Sequence, residues 1–120
     1  MKIQKKLIRG ITVMLFLVIL FGCSKKDVKS PILVRVLTYN IFHGENMNGS
    51  SNLKRVAAII DSLQVDIVAL QEVDKNTNRA NGLDLIAELE KLTDMKGIFG
   101  KAMDFDDGEY GEGILSRYPF

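Results

Sequence analysis

Apolar residues crowd into two short runs, Ile32 to Ile41 and Val65 to Val73. Both are rich in Val, Ile and Leu, and both carry apolar side chains at successive positions. In the first run that pattern predicts a strand covered on both faces. Between them Leu53, Val56, Ala57, Ile60 and Leu63 recur at helical spacing, while Lys54, Arg55 and Asp61 take other faces. Ser51 or Asn52 is placed to cap this helix. Strand, helix and strand in that order make a βαβ-type unit. A second helix is predicted over about Leu83 to Met95, with Leu85, Ile86, Leu89 and Leu92 facing the core and Gly97 as its stop. Gly97–Phe105 and Glu109–Ser116 then predict two strands joined by Asp106-Asp107-Gly108, a hairpin signal. His43–Ser51 and Asp74–Gly82 are polar connections built of turn-forming residues.

The first 31 residues follow a different pattern. Lys2, Lys5, Lys6 and Arg9 precede an apolar stretch, Ile11 to Phe21, broken only by Thr12. A membrane span takes roughly 20 residues, so this run fits a secretory signal better. It ends Leu20-Phe21-Gly22-Cys23, which resembles the bacterial lipobox. The resemblance implies cleavage before Cys23, lipidation of its sulfur and membrane attachment in the bacterial cell envelope. Ser24 favours the outer over the inner membrane. An ordinary signal followed by an incidental cysteine is the alternative. The expected organisation is a signal over 1–22, a tether over 23–31 and a globular part over 32–120. Four of the 16 basic residues and none of the 15 acids lie in the signal, leaving 12 against 15, a formal charge of −3. No basic excess remains to grip a long polyanion by counterion release.

Candidate chemistry gathers at the strand ends. Asn40 and Glu72 each close an apolar run, so adjacent strands would deliver an amide and a carboxylate to one sheet edge. Mg²⁺ favours such oxygen ligands, taking one or two carboxylates and keeping several waters. The strings that carry them are Leu37-Thr38-Tyr39-Asn40-Ile41 and Leu70-Gln71-Glu72-Val73-Asp74, and a third, Leu115-Ser116-Arg117-Tyr118-Pro119, follows. In this order and separation they resemble the endonuclease/exonuclease/phosphatase superfamily, the deoxyribonuclease-I-like metal-dependent hydrolases. The resemblance implies a four-layer α/β/β/α sandwich and hydrolysis of a phosphate ester with Mg²⁺, or Mn²⁺ in its place. It implies Glu72 as metal ligand and Asn40 as the catalytic residue supporting the metal and phosphate. It also implies later strings, a histidine, a Gly-Asp-Phe-Asn type and an Asp-His pair, that do not occur here. The chain is therefore expected to be the N-terminal half of such a domain, inactive and poorly folded alone.

The remaining polar residues divide into candidates and bystanders. Arg79 offers a guanidinium suited to phosphate, and Tyr110 a hydroxyl for substrate. Asp74, two residues beyond Glu72, would share its face in a regular strand. Many relatives have asparagine in place of Glu112, which leaves that position without an inferred contact. Ser116, Arg117 and Tyr118 are expected to serve structure. His43, the only histidine, is expected to be a loop residue near the site rather than a general base. Asp104, Asp106, Asp107 and Glu109 fail EF-hand spacing, because Gly108 falls at position five and Leu115 stands where the glutamate belongs. Nucleic acid, a phospholipid head group and a sugar or inositol phosphate all stay open as substrates. The rival reading is a non-enzymatic envelope lipoprotein. The DNA beyond the Phe120 codon discriminates the two.

Overall fold

The computed structural model describes residues 30–120. The signal, Cys23 and the tether as far as Lys29 lie outside the described residues. Leu33–Phe120 forms one compact unit. Its elements are β1 (Val36–Asn40), a 3-10 turn (Phe42–Gly44), α1 (Leu53–Leu63), β2 (Ile67–Lys75), α2 (Leu85–Thr93), β3 (Lys96–Phe105) and β4 (Gly108–Ser116).

The strands form one four-stranded sheet in the order β1-β2-β4-β3. β1 and β2 run parallel, joined by the α1 crossover, and β2–β4 and β4–β3 are antiparallel. Val56 and Ile60 of α1, Leu85 and Leu89 of α2, Val68, Leu70 and Val73 of β2 and Leu115 of β4 share one buried core. Both helices therefore cover the same face. Ile86 of α2 lies so close to the sheet that side chains at Gly97 and Gly113 would run into it. The opposite face carries Val36, Ile98 and Ile114, which are 66%, 47% and 44% exposed. Among the described residues the sheet is thus covered on one face only. These residues supply one helical layer and one sheet of an α/β sandwich.

Several boundaries differ from the sequence reading for physical reasons. β1 begins at Val36 rather than Ile32, because β2, its only neighbour among the described residues, pairs with it from Val36 onward. Asn52 sits at the start of α1 but makes no side-chain cap. α2 starts at Leu85, since the Asp84 carboxylate accepts from the backbone N–H groups of Ile86 and Ala87, both at 3.1 Å. It ends at Thr93 with Asp94 in the left-handed region. Gly97 is not the helix stop but the second residue of β3. Its N–H donates to Glu90 Oε1 at 2.8 Å. The hairpin turn is Asp106–Asp107, with φ of 48° and 59°, and Gly108 opens β4.

Candidate metal and phosphate site

β1 ends at Asn40, while β2 runs on to Lys75 along β4, so Glu72 lies within β2 and not at its end as the sequence suggests. Asn40 stands opposite Gln71, and the Ile41 N–H donates to the Gln71 carbonyl at 3.1 Å. The next residue of β2 is Glu72, and here the ladder slips. Leu70 pairs with Gly113 and Val73 with Gly111, so Gln71 and Glu72 together face Glu112. This β-bulge puts Glu72 at φ 58°. A non-glycine residue in that region is uncommon, and such strain gathers at functional sites. Bulges re-aim a side chain, and this one brings the Glu72 carboxylate to Asn40. Asn40 Nδ2 donates to Glu72 Oε1 at 2.7 Å, while Asn40 Oδ1 accepts from the Phe42 N–H at 2.9 Å. Asn40 thus orients the carboxylate and fixes the chain that follows.

That following chain is also strained. Phe42, His43 and Gly44 have φ of 48°, 43° and 77°. Only Gly44 adopts this region without penalty. The turn stacks the Phe42 and His43 rings with centroids 4.3 Å apart, and His43 Nε2 lies 3.5 Å from Glu45 Oε2. His43 is therefore a turn residue beside the site, stacked on Phe42 with the Glu45 carboxylate nearby.

A cleft of about 330 Å³ is lined by Phe42, His43, Glu72, Arg79, Met103, Phe105 and Tyr110. Three residues singled out from the sequence, Glu72, Arg79 and Tyr110, meet there, and Asn40 holds Glu72 from behind. Tyr110 has its hydroxyl pKa pushed above the usual value by burial first and by the Glu72 charge second. It stays protonated and able to donate.

Asp74 departs from the sequence reading. It does not join Glu72 but is fully buried beneath the loop after β2. Asp74 Oδ2 accepts from Thr77 Oγ1 and Arg79 Nε, both at 2.6 Å, and Oδ1 accepts from Arg79 Nη2 at 2.8 Å. Burial pushes its pKa up, but the hydrogen bonds from Arg79 and Thr77 and the Arg79 charge outweigh burial and hold it below the ordinary value. The same pairing raises the Arg79 pKa. Asp106 Oδ2 accepts from the Arg79 N–H at 2.7 Å, and Asp107 Oδ2 from Asn78 Nδ2 at 2.8 Å. The acidic turn therefore anchors a loop. Glu112 lies in a shallow groove on the uncovered face with Ile98 and Ile114, away from the cleft. Arg117 Nε donates to the Val65 carbonyl at 2.8 Å and Tyr118 OH to Asp66 Oδ1 at 3.3 Å, which secures the β4 end structurally.

The donor set at Glu72 decides which metal it suits. Among the described residues no three His, Cys, Asp or Glu side chains cluster as metal ligands. A tetrahedral zinc site needs such a cluster. One carboxylate at the bulge, with a second oxygen that no described residue takes, fits a hard cation that retains its waters.

The missed residues are Phe42, Met103 and Phe105, which look like ordinary apolar positions. The one available signal was the spacing Val68, Leu70, Val73, which slips from two to three at Gln71-Glu72.

Comparison with curated proteins finds no match. Two solved structures are similar. An endonuclease/exonuclease/phosphatase from Beutenbergia cavernae DSM 12333 is 23% identical with a TM-score of 0.54, over 72% of this chain and 26% of that one. An endonuclease/exonuclease/phosphatase family protein from Leptotrichia buccalis C-1013-b is 22% identical with a TM-score of 0.51, over 72% of this chain and 39% of that one. The chain thus spans well under half of either structure. Both share its fold, the deoxyribonuclease-I-like α/β class, of which these residues form part. The Endonuclease/Exonuclease/phosphatase family, phosphoester hydrolases that generally depend on a divalent metal, matches residues 37–120. With more than half its length matched, and the hydrogen-bonded Asn40–Glu72 pair within that match, this chain belongs to the endonuclease/exonuclease/phosphatase family.

Proposed function

We propose that this sequence serves a Mg²⁺-dependent phosphoesterase, with Mn²⁺ as an alternative metal. The observation that carries the reading is the Asn40 Nδ2 to Glu72 Oε1 hydrogen bond of 2.7 Å, made at a strained bulge on the cleft that holds Arg79 and Tyr110. Glu72 is the metal carboxylate, and Asn40 keeps it aimed. When bound, the metal polarises a phosphoryl oxygen and stabilises the leaving oxygen. Arg79 and Tyr110, which line the same cleft, offer N–H and O–H donors to the phosphate. The formal charge of −3 beyond the signal disfavours long duplex nucleic acid and leaves small phosphoesters, whether nucleotide, lipid head group or sugar phosphate. With one metal carboxylate among the described residues, the 120-residue chain alone is expected to turn over little. The test measures Mg²⁺ binding by the chain calorimetrically and Mg²⁺-stimulated hydrolysis of bis(4-nitrophenyl) phosphate by the protein as its gene encodes it. A folded protein that neither binds Mg²⁺ nor cleaves the ester in its presence overturns the reading.

We place the protein on the bacterial envelope through Cys23. The support is the apolar run ending Leu20-Phe21-Gly22-Cys23. Several acyl chains anchor stably where one is marginal. A clickable fatty acid is expected to label the wild type and not Cys23→Ser. Equal labelling of both defeats the assignment.

A further inference from the structure

We propose that Asp74 is a positioning residue, whose buried carboxylate presets Arg79 as a receptor for a phosphoryl group in the cleft beside Glu72. This rests on the phosphoesterase reading for the identity of the ligand and on independent geometry for the device.

The pair is asymmetric. Asp74 is fully buried, while the Arg79 side chain is 31% exposed and lines the cleft. Burying both partners would add the desolvation cost of the cation. Here the carboxylate is hidden and the cation is presented.

Arg79 is fixed from three directions. The Asp74 carboxylate takes one edge of the guanidinium through Nε and Nη2. The Phe105 ring lies against it, 4.5 Å from the guanidinium carbon, and the Tyr110 ring is 5.6 Å away. The backbone N–H of Arg79 is tied to Asp106. Thr77 completes the clamp, since its hydroxyl donates to Asp74 Oδ2 and accepts from the Ala80 N–H at 3.2 Å.

One edge stays free. Of the five guanidinium N–H donors, Asp74 takes two. Among the described residues nothing accepts from Nη1. Among the described residues Arg79 is also the one permanently cationic side chain lining this cleft. A guanidinium held in one orientation loses little entropy when it binds an oxyanion, which is the advantage of preorganisation. Asp74 acts on the ligand only through Arg79 and touches neither metal nor substrate.

The test follows the Arg79 Nε–H resonance in the full chain, labelled with ¹⁵N-arginine, as inorganic phosphate is added with Mg²⁺ and again with EDTA. The wild-type resonance is expected to shift saturably. Arg79→Lys, which keeps the charge and loses both the fork and the resonance, is expected to weaken phosphate binding, followed by calorimetry in every variant, by roughly tenfold to a hundredfold. Asp74→Asn should do the same although Arg79 is intact, with Mg²⁺ affinity unchanged. Asp74→Asn combined with Arg79→Met removes the unpaired charge. It is expected to recover thermal stability over Asp74→Asn alone but not phosphate affinity. Wild-type phosphate affinity in either Asp74 variant overturns the inference. Mg²⁺ binding with a silent Arg79 overturns it too and spares the phosphoesterase reading. An Arg79 response without any Mg²⁺ binding does the reverse.

Discussion

Glu72→Gln is expected to reduce Mg²⁺-dependent turnover by a factor on the order of a hundred or more, with partial recovery at excess Mg²⁺. Glutamine keeps the shape and the contact with Asn40 but removes the charge that holds the cation. Asn40→Ala should also lose activity, with a smaller effect on metal affinity, because Asn40 orients the carboxylate by a single 2.7 Å hydrogen bond. Titrating Mg²⁺ against turnover separates the two. An unchanged metal-activation curve in Glu72→Gln removes Glu72 from the metal site. The backbone offers a second readout that needs no activity. Glu72 sits at φ 58°, where only glycine is unstrained. Glu72→Gly is therefore expected to raise stability by about 1 kcal/mol while abolishing metal binding. A loss of stability in that variant means the bulge is not strained in the way described.

Why the sequence showed Asn40 and Glu72 but not the cleft is a matter of range. Asn40 ends β1 and Glu72 lies in β2 just beyond the β1 ladder, and that pairing follows from a local βαβ unit, so their strings carry the position with them. The core was legible for the same reason. Val56, Ile60 and Leu89 recur at helical spacing and are buried as expected, whereas Leu63 and Leu92, read from the same spacing, lie exposed near the helix ends. The bulge was visible only as a slipped interval between Leu70 and Val73. Asp74 looked like a companion of Glu72 because the two-residue spacing assumes a regular strand, and the strand is not regular there. Its true partner, Arg79, is reached through a loop that folds back and is pinned by Asp106 and Asp107. Those aspartates looked like a hairpin turn, which they are. Their second role, holding another loop, depends on contacts between segments nearly 30 residues apart. Phe42 at positive φ runs against the conformation that its residue type prefers, so local propensity could not indicate it.

Gly111→Ala is expected to lower stability by on the order of 3 kcal/mol, a large effect for one methyl group. Gly111 pairs with Val73 on one side and Lys101 on the other. Both ladders slip beside it, one between Leu70 and Val73 and one between Lys101 and Met103. A Cβ here would fall on the Gly100 carbonyl oxygen and lie 3.0 Å from the Ala102 nitrogen. All of these are backbone atoms, which cannot rotate aside as a side chain can. The need for glycine is therefore one of space rather than of φ. Gly100→Ala is the control, because its Cβ would meet only the Glu112 carbonyl oxygen at 3.8 Å, an ordinary contact. For a unit of this size the loss corresponds to a fall in Tm on the order of 15 °C. The control should stay within a few degrees of wild type, by the same scaling. The site should suffer with the fold, since Met103, Phe105 and Tyr110 lie just beyond the β3 slip and Glu72 lies within the β2 slip. Straightening either strand would pull the aromatic wall from Arg79 or turn the carboxylate from Asn40. If Gly111→Ala melts with the Gly100→Ala control, the two bulges do not depend on this glycine, and the cleft must owe its shape to the loops alone.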